Sequence, residues 1–385
     1  MRTVLICKNL LLPASETFVR DQALALVSWK PVLVGLRRLG SGLPLNGLEV
    51  RVLEAEEPRF ARRLYRKLLA EAGLPLPGAV RRLKLEAAAL VHAHFATDAV
   101  LYWPIVRRLR LPFVVTLHGY DINTYREFWE RGFPALGHRR YPGRLLALAR
   151  QPRVHFIAVS HAIRQRAVDY GLPPERIDVH YIGIDLTRFR PGGTPVSWRG
   201  PRIIFVGRLV EKKGGEFLIC AFARVRSRLP AAELVMIGDG PLLPRLTALA
   251  KELDVPVTFT GSVDSESVKR HIDAARVLCL PSITAANGDA EGLGMVLLEA
   301  QACGVPVVTS ARGGATEAII DGVTGFAFPE RDIETLTARL HLMLTDDRLA
   351  DSMSEAALRF VKENFDIRHC TSALERLYDA CVDER

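Results

Sequence analysis

The feature that most constrains the fold is an alternation of short apolar runs with longer amphipathic stretches along all 385 residues. Each run has the length and the Val, Ile and Leu content of a strand buried on both faces, and the stretches between have helical patterns. Strands that alternate with helices predict βαβ units and parallel sheets. The runs are 3–7, 31–36, 90–95, 112–119 and 155–160, then 202–207, 233–240, 257–261, 277–282 and 305–310.

A break at residues 185–200 separates the two series of runs. This segment is rich in Pro and Gly and has no apolar periodicity, so it predicts an interdomain linker. The chain is therefore expected to form two doubly wound, Rossmann-like α/β domains facing each other across a cleft, over residues 1–188 and 189–365. The helical pattern at 366–385 is expected to pack back on the first domain. In such sheets ligands bind outside the carboxyl ends of the strands, so site residues are sought there.

Positive charge is concentrated in the first half of the chain. Residues 1–190 carry 30 Lys and Arg against 16 Asp and Glu, whereas residues 191–385 carry 22 against 27. A basic balance favours acidic partners: nucleic acid, an anionic membrane or phosphorylated ligands. We expect no nucleic-acid binding, because no basic–aromatic motif supports it.

The segment 58–84 is the strongest candidate for contact with an anionic membrane surface. Phe60, Leu64 and Leu68 form one helical stripe, and Arg and Lys residues surround it. A basic amphipathic helix of this kind lies on anionic membranes. Packing of the same stripe against the sheet is the equal alternative.

The remaining features favour a cytoplasmic protein, with a peripheral position on the inner face of the membrane as an option. No apolar stretch reaches the roughly 20 residues of a membrane-spanning helix, and the first run fits a buried strand better than a signal peptide. The six scattered cysteines form no C-x-x-C pair and are expected to be reduced.

The loop after the run at 202–207 predicts a diphosphate site. Arg208 and Lys213 flank a glycine-containing turn at residues 207–215. A guanidinium matches phosphate geometry bidentately, and an ammonium adds a point charge. The alternative is an ordinary loop with solvated basic residues.

A second segment, at 289–310, predicts an anion site at the start of a helix. Glu291 precedes Gly292, Leu293 and Gly294, and a helix is expected from Met295 to Ala302. The first N–H groups of such a helix and its dipole attract anions. Glu299 interrupts the apolar helix, and it is satisfied either by ligand hydroxyls or by pairing with an Arg.

Other nucleotide sites fit less well. Leu243 stands where a dinucleotide fingerprint requires its third glycine, and the chain has neither a P-loop nor an Asp-x-Asp motif. His92 and His94 have the spacing of metal ligands on a strand, but no third ligand is evident, so no metal site is expected.

Five segments together carry a family resemblance: 207–214, 237–241, 259–261, 291–300 and 302–317. In this order they resemble the retaining glycosyltransferases of family 4, which have the GT-B fold. Glu291 and Glu299 match the family's pair of glutamates separated by seven residues. The segments 15–18 (SETF) and 287–289 (NGD) also resemble the subgroup of colanic-acid and exopolysaccharide glycosyltransferases.

The resemblance implies roles in the second half of the chain. Arg208 and Lys213 hold the donor diphosphate, Glu291 contacts hydroxyls of the transferred sugar, and Glu299 takes the ribose hydroxyls. Backbone amides at Leu293, Gly294 and Met295, which follow Gly292, meet the phosphate.

In the first half, the resemblance places His118 near the anomeric centre, hydrogen-bonded to the donor sugar. Many relatives have a Gly-Gly pair after the first strand, but residues 8–18 contain no glycine. Residues 13–16 must replace it or shape the acceptor site, to which Ser15, Glu16, His94 and Asp121 are assigned.

The implied activity is transfer of a hexose-type sugar from a nucleotide-diphosphate sugar to a saccharide acceptor. Retention through front-face substitution, no cofactor and no metal follow from the resemblance, with a UDP-sugar favoured over a GDP-sugar. The acceptor is expected to be a saccharide or lipid-linked saccharide of exopolysaccharide synthesis. The alternatives are glycosylation of a soluble small molecule and nucleotide-sugar binding without turnover.

Overall fold

The computed structural model describes residues 1–13, 15–38, 40, 42–54, 59–75, 78–133 and 136–383, with only the backbone described at 59–61, 63, 136 and 137. Packing divides the chain into an N-terminal unit, Met1–Gly183 with Ile367–Arg385, and a C-terminal unit, Ile184–Asp366. The boundaries expected from the sequence lie at 188/189 and 365/366.

The N-terminal unit is built on a seven-stranded sheet in the order β3-β2-β1-β4-β5-β6-β7. Every pairing is parallel, for example Val4 with Pro31 on one side of β1 and with Leu90 on the other. The strands are β1 (Arg2–Leu11), β2 (Trp29–Arg38), β3 (Glu49–Val52), β4 (Leu90–His94), β5 (Phe113–Leu117), β6 (Val154–Ala158) and β7 (Ile177–Val179). β4 and β5 are buried along their whole length, as expected of strands covered on both faces.

Helices connect these strands. They are α1 (Thr17–Leu24), α2 (Arg59–Lys67), α3 (Ala79–Leu85), α4 (Ala96–Leu109), α5 (Tyr120–Asn123), α6 (Arg126–Glu130), α7 (Tyr141–Ala149) and α8 (His161–Tyr170). α8 shows local control of a helix end. Ser160 accepts a hydrogen bond from the Ile163 N–H at its start, and Gly171 ends it in a left-handed conformation.

The C-terminal unit has a six-stranded parallel sheet in the order β10-β9-β8-β11-β12-β13. The strands are β8 (Arg202–Val206), β9 (Glu233–Ile237), β10 (Val257–Gly261), β11 (Val277–Leu280), β12 (Val307–Ser310) and β13 (Gly325–Phe328). The helices are α9 (Gly215–Arg228), α10 (Leu243–Glu252), α11 (Ser265–Asp273), α12 (Met295–Ala302), α13 (Ile333–Thr345) and α14 (Asp347–Asn364). The predicted pair of Rossmann-like parallel-sheet domains is confirmed.

Each sheet reverses its strand order next to its first strand. The reversal lies between β1 and β4 in the N-terminal unit and between β8 and β11 in the C-terminal unit. Loops leaving the carboxyl ends of two such strands run to opposite sides and leave a crevice between them, which is where ligands bind in these folds.

The last helix, α15 (Ile367–Asp383), belongs to the N-terminal unit. Oε1 of buried Glu375 accepts hydrogen bonds from the N–H groups of Val27, Ser28 and Trp29 at 2.8, 2.6 and 3.0 Å. The ring of Tyr378 packs against Trp29 with a centroid distance of 5.3 Å. These contacts fix α15 at the start of β2.

The predicted linker is held on the C-terminal unit. Arg199, in the segment 185–200, donates hydrogen bonds to the carbonyls of Thr194 and Ala275 at 2.8 and 3.0 Å. Buried Arg276 donates to the carbonyl of Ser197 at 3.1 Å. A Pro- and Gly-rich sequence is therefore an anchored irregular segment here, because two arginines occupy its carbonyl groups.

Candidate functional site

Two lysine–carboxylate pairs lie at the strand-order reversal of the C-terminal unit. Lys213 Nζ is 2.6 Å from Glu291 Oε2, and Lys212 Nζ is 3.0 Å from Asp289 Oδ1. The lysines follow β8 and the carboxylates follow β11, so the two pairs join the loops on either side of the crevice. We call these four residues the lysine–carboxylate ladder.

Burial makes the charges of the ladder interact strongly. Its four side chains are between 11% and 14% exposed. Burial alone raises the pKa of Glu291, but the charges of Lys213 and Lys212, with hydrogen bonds from Lys213 and Ser282, lower it to about 2. Glu291 is therefore ionised at neutral pH. The pKa of Asp289 is raised by its burial, against the opposing charge of Lys212.

Glycine allows the two loops to approach this closely. Gly214 has a φ of +63°, and a Cβ atom there would lie 1.9 Å from the carbonyl oxygen of Pro281. Any side chain at this position would push the turn that carries Lys212 and Lys213 away from the loop after β11. The loops are also joined by a hydrogen bond from the Ile283 N–H to the Lys212 carbonyl, at 2.8 Å.

The other predicted donor-site residues surround the ladder on the same two loops. Arg208 is exposed, and its positive charge acts to lower the pKa of Asp289. Gly292, Leu293 and Gly294 are buried. Met295 and Glu299, one turn apart on α12, are half-buried. The structure thus brings Lys213 and Glu291 into contact, places Arg208 near them, and puts Glu299 one turn into the adjoining helix.

Three histidines lie together at the strand-order reversal of the N-terminal unit. His94 Nδ1 is 3.1 Å from His118 Nε2, and the rings of these two residues stack with a centroid distance of 5.3 Å. The ring of His92 lies against that of His94 with a centroid distance of 4.3 Å and a tilt of 33°. We call His92, His94 and His118 the histidine stack. Phe18 and Phe95 pack against His118 with centroid distances of 4.9 and 4.5 Å.

His92, at one end of the histidine stack, makes hydrogen bonds through both of its ring nitrogens. Its Nδ1 atom lies 2.6 Å from the Tyr378 hydroxyl, and its Nε2 atom lies 2.7 Å from the Thr116 hydroxyl. His92 is thus a core residue that is hydrogen-bonded to α15.

No group of three or more His, Cys, Asp or Glu residues in the described part of the chain could hold a metal ion. Metal independence of the reaction stays a prediction.

Asp121 holds the turn that carries His118. It is fully buried, and its carboxylate accepts hydrogen bonds from the N–H groups of Ala96, His118 and Gly119 at 2.7, 3.1 and 2.9 Å. Asp121 therefore positions this turn through its hydrogen bonds to backbone groups, and its assignment to the acceptor side stays a prediction.

Lys8, Glu16 and Asp98 form a third buried group, which we call the Lys8 cluster and which the sequence motifs did not predict. Lys8 Nζ lies 3.2 Å from Glu16 Oε2 and 3.0 Å from Asp98 Oδ2, and it is 4% exposed. The ammonium also lies 4.1 Å from the centroid of the Phe95 ring. The signal was the lysine that directly follows the first apolar run. Glu16 is thus held by Lys8, Ser15 is exposed, and Ala14 lies outside the described residues.

The basic segment 58–84 exposes apolar side chains. Leu64 and Leu74 are 56% and 49% exposed, and Leu85, which directly follows the segment at the end of α3, is 81% exposed. Leu64 is therefore not packed on the sheet, which removes one residue of the alternative stripe. The side chain of Phe60 and residues 58, 76 and 77 lie outside the described part. Across the described residues, no helix has the length and apolarity needed to span a membrane.

Two family models match the chain, one in each unit. The model described as Glycosyltransferase Family 4 matches residues 32–188, and the model described as Glycosyl transferases group 1 matches residues 197–360. These matches include the residues of the histidine stack and of the lysine–carboxylate ladder.

Curated relatives align with part of the chain. The GDP-mannose-dependent alpha-(1-6)-phosphatidylinositol monomannoside mannosyltransferase of Mycolicibacterium smegmatis is 38% identical over 227 residues, which is 54% of this chain and 58% of the relative. The putative colanic acid biosynthesis glycosyltransferase WcaL of Salmonella typhimurium is 37% identical over 177 residues, 46% of this chain and 44% of the relative. The chain thus spans about half the length of the curated relatives it matches.

A solved structure matches nearly the whole chain. Anabaena Alr3699/HepE in complex with UDP and glucose has a TM-score of 0.78 and 19% identity, covering 98% of this chain and 100% of that chain. At this identity the match shows the fold. The two family matches show that the chain belongs to glycosyltransferase family 4, and the structural match shows that it has the GT-B fold. The similarity to WcaL confirms its resemblance to the colanic-acid and exopolysaccharide subgroup.

Proposed function

We propose that this protein is a retaining glycosyltransferase that transfers a hexose-type sugar from a nucleotide-diphosphate sugar to a saccharide acceptor in exopolysaccharide or lipid-linked glycan synthesis. The observation that carries the proposal is the buried lysine–carboxylate ladder at the strand-order reversal of the C-terminal unit. Two of its residues, Lys213 and Glu291, are among those that the family resemblance assigns to the donor.

The ladder supplies the chemistry that cleavage of a sugar–diphosphate bond requires. Negative charge develops on the leaving oxygen, and fixed cations aimed at it act without reorganisation. Lys213 is held in place by Glu291, and exposed Arg208 adds a guanidinium group that can bind the phosphates bidentately. The N–H groups at Leu293, Gly294 and Met295 add the positive end of α12. In this proposal Glu299 takes the ribose hydroxyls.

The electrostatics of Glu291 favour the role of a sugar-binding carboxylate. A group with a pKa of about 2 is a weak base at neutral pH. Its pairing with Lys213 further lowers its nucleophilicity, so we propose that it accepts hydrogen bonds from sugar hydroxyls. Retention then follows from front-face substitution, in which the leaving phosphate takes the proton of the acceptor.

The nucleotide is decided by a direct assay. A panel of UDP- and GDP-sugars is offered to the protein, with thermal shift reading binding and mass spectrometry reading the glycosylated product. We expect stabilisation by a UDP-sugar and transfer to a saccharide acceptor in the presence of EDTA. Stabilisation by GDP-sugars alone would overturn the proposal that the donor is a UDP-sugar. Binding without product from any acceptor would favour a nucleotide-sugar-binding protein.

The acceptor is proposed to be presented at an anionic membrane surface. Exposed Leu64 and Leu74 in the basic segment, and Leu85 directly after it, carry this part of the proposal, because apolar and cationic groups together favour the interface of anionic bilayers. A water-soluble small-molecule acceptor is the alternative. Sedimentation with vesicles of anionic or neutral phospholipid tests it, and equal recovery with both would overturn it.

A further inference from the structure

One buried ring nitrogen in the histidine stack has no hydrogen-bond partner among the described residues. His94 is 1% exposed, and its Nε2 atom is buried without a partner among the described residues. Its other nitrogen, Nδ1, lies 3.1 Å from His118 Nε2. His94 therefore has one satisfied and one unsatisfied nitrogen, and the position of its single ring proton has consequences for His118.

Both rings of this hydrogen bond are neutral. Burial lowers the pKa of His94 well below its usual value, and the neighbouring His92, His118 and Lys8 lower it further. Burial and the charge of Lys8 act in the same direction on the pKa of His118. A neutral imidazole has one N–H donor and one acceptor nitrogen, so exactly one proton lies between His94 Nδ1 and His118 Nε2.

The unpartnered atom decides which ring donates. If His118 donated, the proton of His94 would have to sit on Nε2, as a buried N–H with nothing to bind. Orphaned buried N–H groups are rare in folded proteins. If His94 donates from Nδ1, its Nε2 carries only a lone pair and no N–H is orphaned.

The neighbouring groups do not determine whether His94 or His118 donates the hydrogen bond between them. The partners of His92 are two hydroxyls, Tyr378 and Thr116, which can each donate or accept. His92 and His94 contact each other through their rings, which are tilted by 33°. Neither contact imposes a proton position on His94.

We propose that His94 fixes the tautomer of His118, so that His118 is protonated on Nδ1 and presents this N–H to an oxygen atom of the sugar substrate. His118 Nδ1 makes no hydrogen bond within the described protein and is not a buried atom, since His118 itself is only half-buried. It is the one nitrogen of the His94–His118 pair that a ligand can reach.

The assignment limits what His118 can do. With Nε2 engaged by His94 and Nδ1 already protonated, the neutral ring has no nitrogen free to take a proton from an acceptor hydroxyl. His118 is then a hydrogen-bond donor to substrate, and His94 is a positioning residue behind it. This inference rests on the proposed function only for the identity of the substrate oxygen.

The tautomer is measurable without substrate. The full chain is labelled with ¹⁵N-histidine, long-range ¹H–¹⁵N correlations are recorded at neutral pH, and the His118 signals are assigned by their loss in His118→Gln. We expect the hydrogen of His118 on Nδ1, in contrast to free histidine in water, which favours Nε2–H. A hydrogen on Nε2 of His118 in the native protein overturns the proposal.

Two substitutions at His94 separate positioning from packing. His94→Asn places an amide N–H where Nδ1 stood, whereas His94→Phe keeps a ring and removes the hydrogen bond. We expect the Nδ1–H tautomer to persist in the Asn variant and to be lost in the Phe variant. An unchanged His118 tautomer in His94→Phe overturns the role of His94. His155→Phe, on β6, is the control and should leave the His118 signals unchanged.

Kinetics provide the second readout. His94→Phe should lower kcat about 10–100-fold with little change in the donor KM, as for other residues that orient an active-site histidine, and His94→Asn should recover most of it. Equal kcat in His94→Phe and the native protein also overturns the proposal. If the tautomer is as expected but no nucleotide sugar is turned over, the proposed function fails and the proton assignment stands. Denaturant unfolding followed by circular dichroism checks that the variants are folded.

Discussion

The two units place buried charge at the same position of the same type of fold, but they balance it differently. In the lysine–carboxylate ladder of the C-terminal unit, two lysines meet two carboxylates in separate pairs. In the Lys8 cluster of the N-terminal unit, one lysine faces two carboxylates, and the adjoining histidines are neutral. Parallel strands with reversed order are common to both, so the difference comes from the side chains at the ends of these strands and in the segments that follow them.

This difference assigns different ligand chemistry to each unit. The ladder is neutral as a whole, and exposed Arg208 beside it adds a positive charge that suits a diphosphate. The Lys8 cluster has an excess of negative charge, so it favours uncharged hydroxyl-bearing ligands over anions. The positive surplus of residues 1–190 therefore does not arise at this cluster, and the basic segment 58–84 is where it meets exposed leucines.

The largest expected effect comes from breaking the ladder. Lys213→Ala removes the cation proposed for the leaving phosphate, and Glu291→Ala removes the carboxylate that holds it. Loss of one such preorganised group lowers kcat about 10²–10³-fold, measured as glycosylated product per enzyme. Lys362→Ala and Glu363→Ala, on the exposed face of α14, are matched controls. Native turnover in Lys213→Ala would show that the ladder is structural only.

Substitutions in the Lys8 cluster should mainly lower the free energy of unfolding. Lys8→Met leaves Glu16 and Asp98 buried without a cation, and removal of one partner from a buried ion pair lowers the free energy of unfolding by about 3–5 kcal/mol. Denaturant unfolding measures it, and the triple variant Lys8→Met, Glu16→Gln, Asp98→Asn should recover much of the loss. A single variant as stable as the native protein would mean that the cluster is hydrated.

Acid should act on the C-terminal unit through Glu291. Its pKa is lowered from 4.5 in the unfolded chain to about 2 when folded, so its stabilising contribution is present above pH 4.5 and is lost as the pH falls towards 2. The difference corresponds to about 3 kcal/mol. Glu291→Gln should remove this part of the pH dependence, read from denaturant unfolding at pH 6 and pH 3. Parallel loss in both proteins would locate the acid sensitivity elsewhere.

The smallest expected effect concerns the basic segment of the N-terminal unit. Arg62→Gln and Lys67→Gln should each weaken binding to anionic vesicles by about 1 kcal/mol, and Leu85→Ser should weaken it by removing an exposed apolar side chain. Val27→Ser, at a position that is 76% exposed but outside this segment, is the control. If Val27→Ser lowers vesicle binding as much as Leu85→Ser, the surface is not specific.

The sequence predicted the sheets well because buried parallel strands leave continuous apolar runs. The run at 202–207 matches β8, Arg202–Val206, to within one residue. The run at 3–7 predicted too short a strand, since β1 extends over Arg2–Leu11. Lys8 ended the predicted run, but in the structure Glu16 and Asp98 compensate its burial.

The site could be predicted residue by residue but not contact by contact. Motifs pointed to Lys213 and Glu291 separately, and their pairing across 78 positions depends on the adjacency of β8 and β11. The partners of Asp121 are backbone N–H groups, which carry no sequence signal. His94 was assigned to the acceptor side from its strand position, whereas its hydrogen bond to His118 depends on the register of β4 against β5.

The position of α15 has a consequence for biosynthesis. Glu375 and Tyr378 complete the core around Trp29 and His92, yet the ribosome makes them only after the whole C-terminal unit. At about 5–20 residues per second, residues 184–366 take on the order of 10–40 s to synthesise. During that interval the C-terminal unit can fold, whereas the nascent N-terminal unit still exposes the surface that α15 will cover, so the first domain to leave the ribosome is the last to be completed.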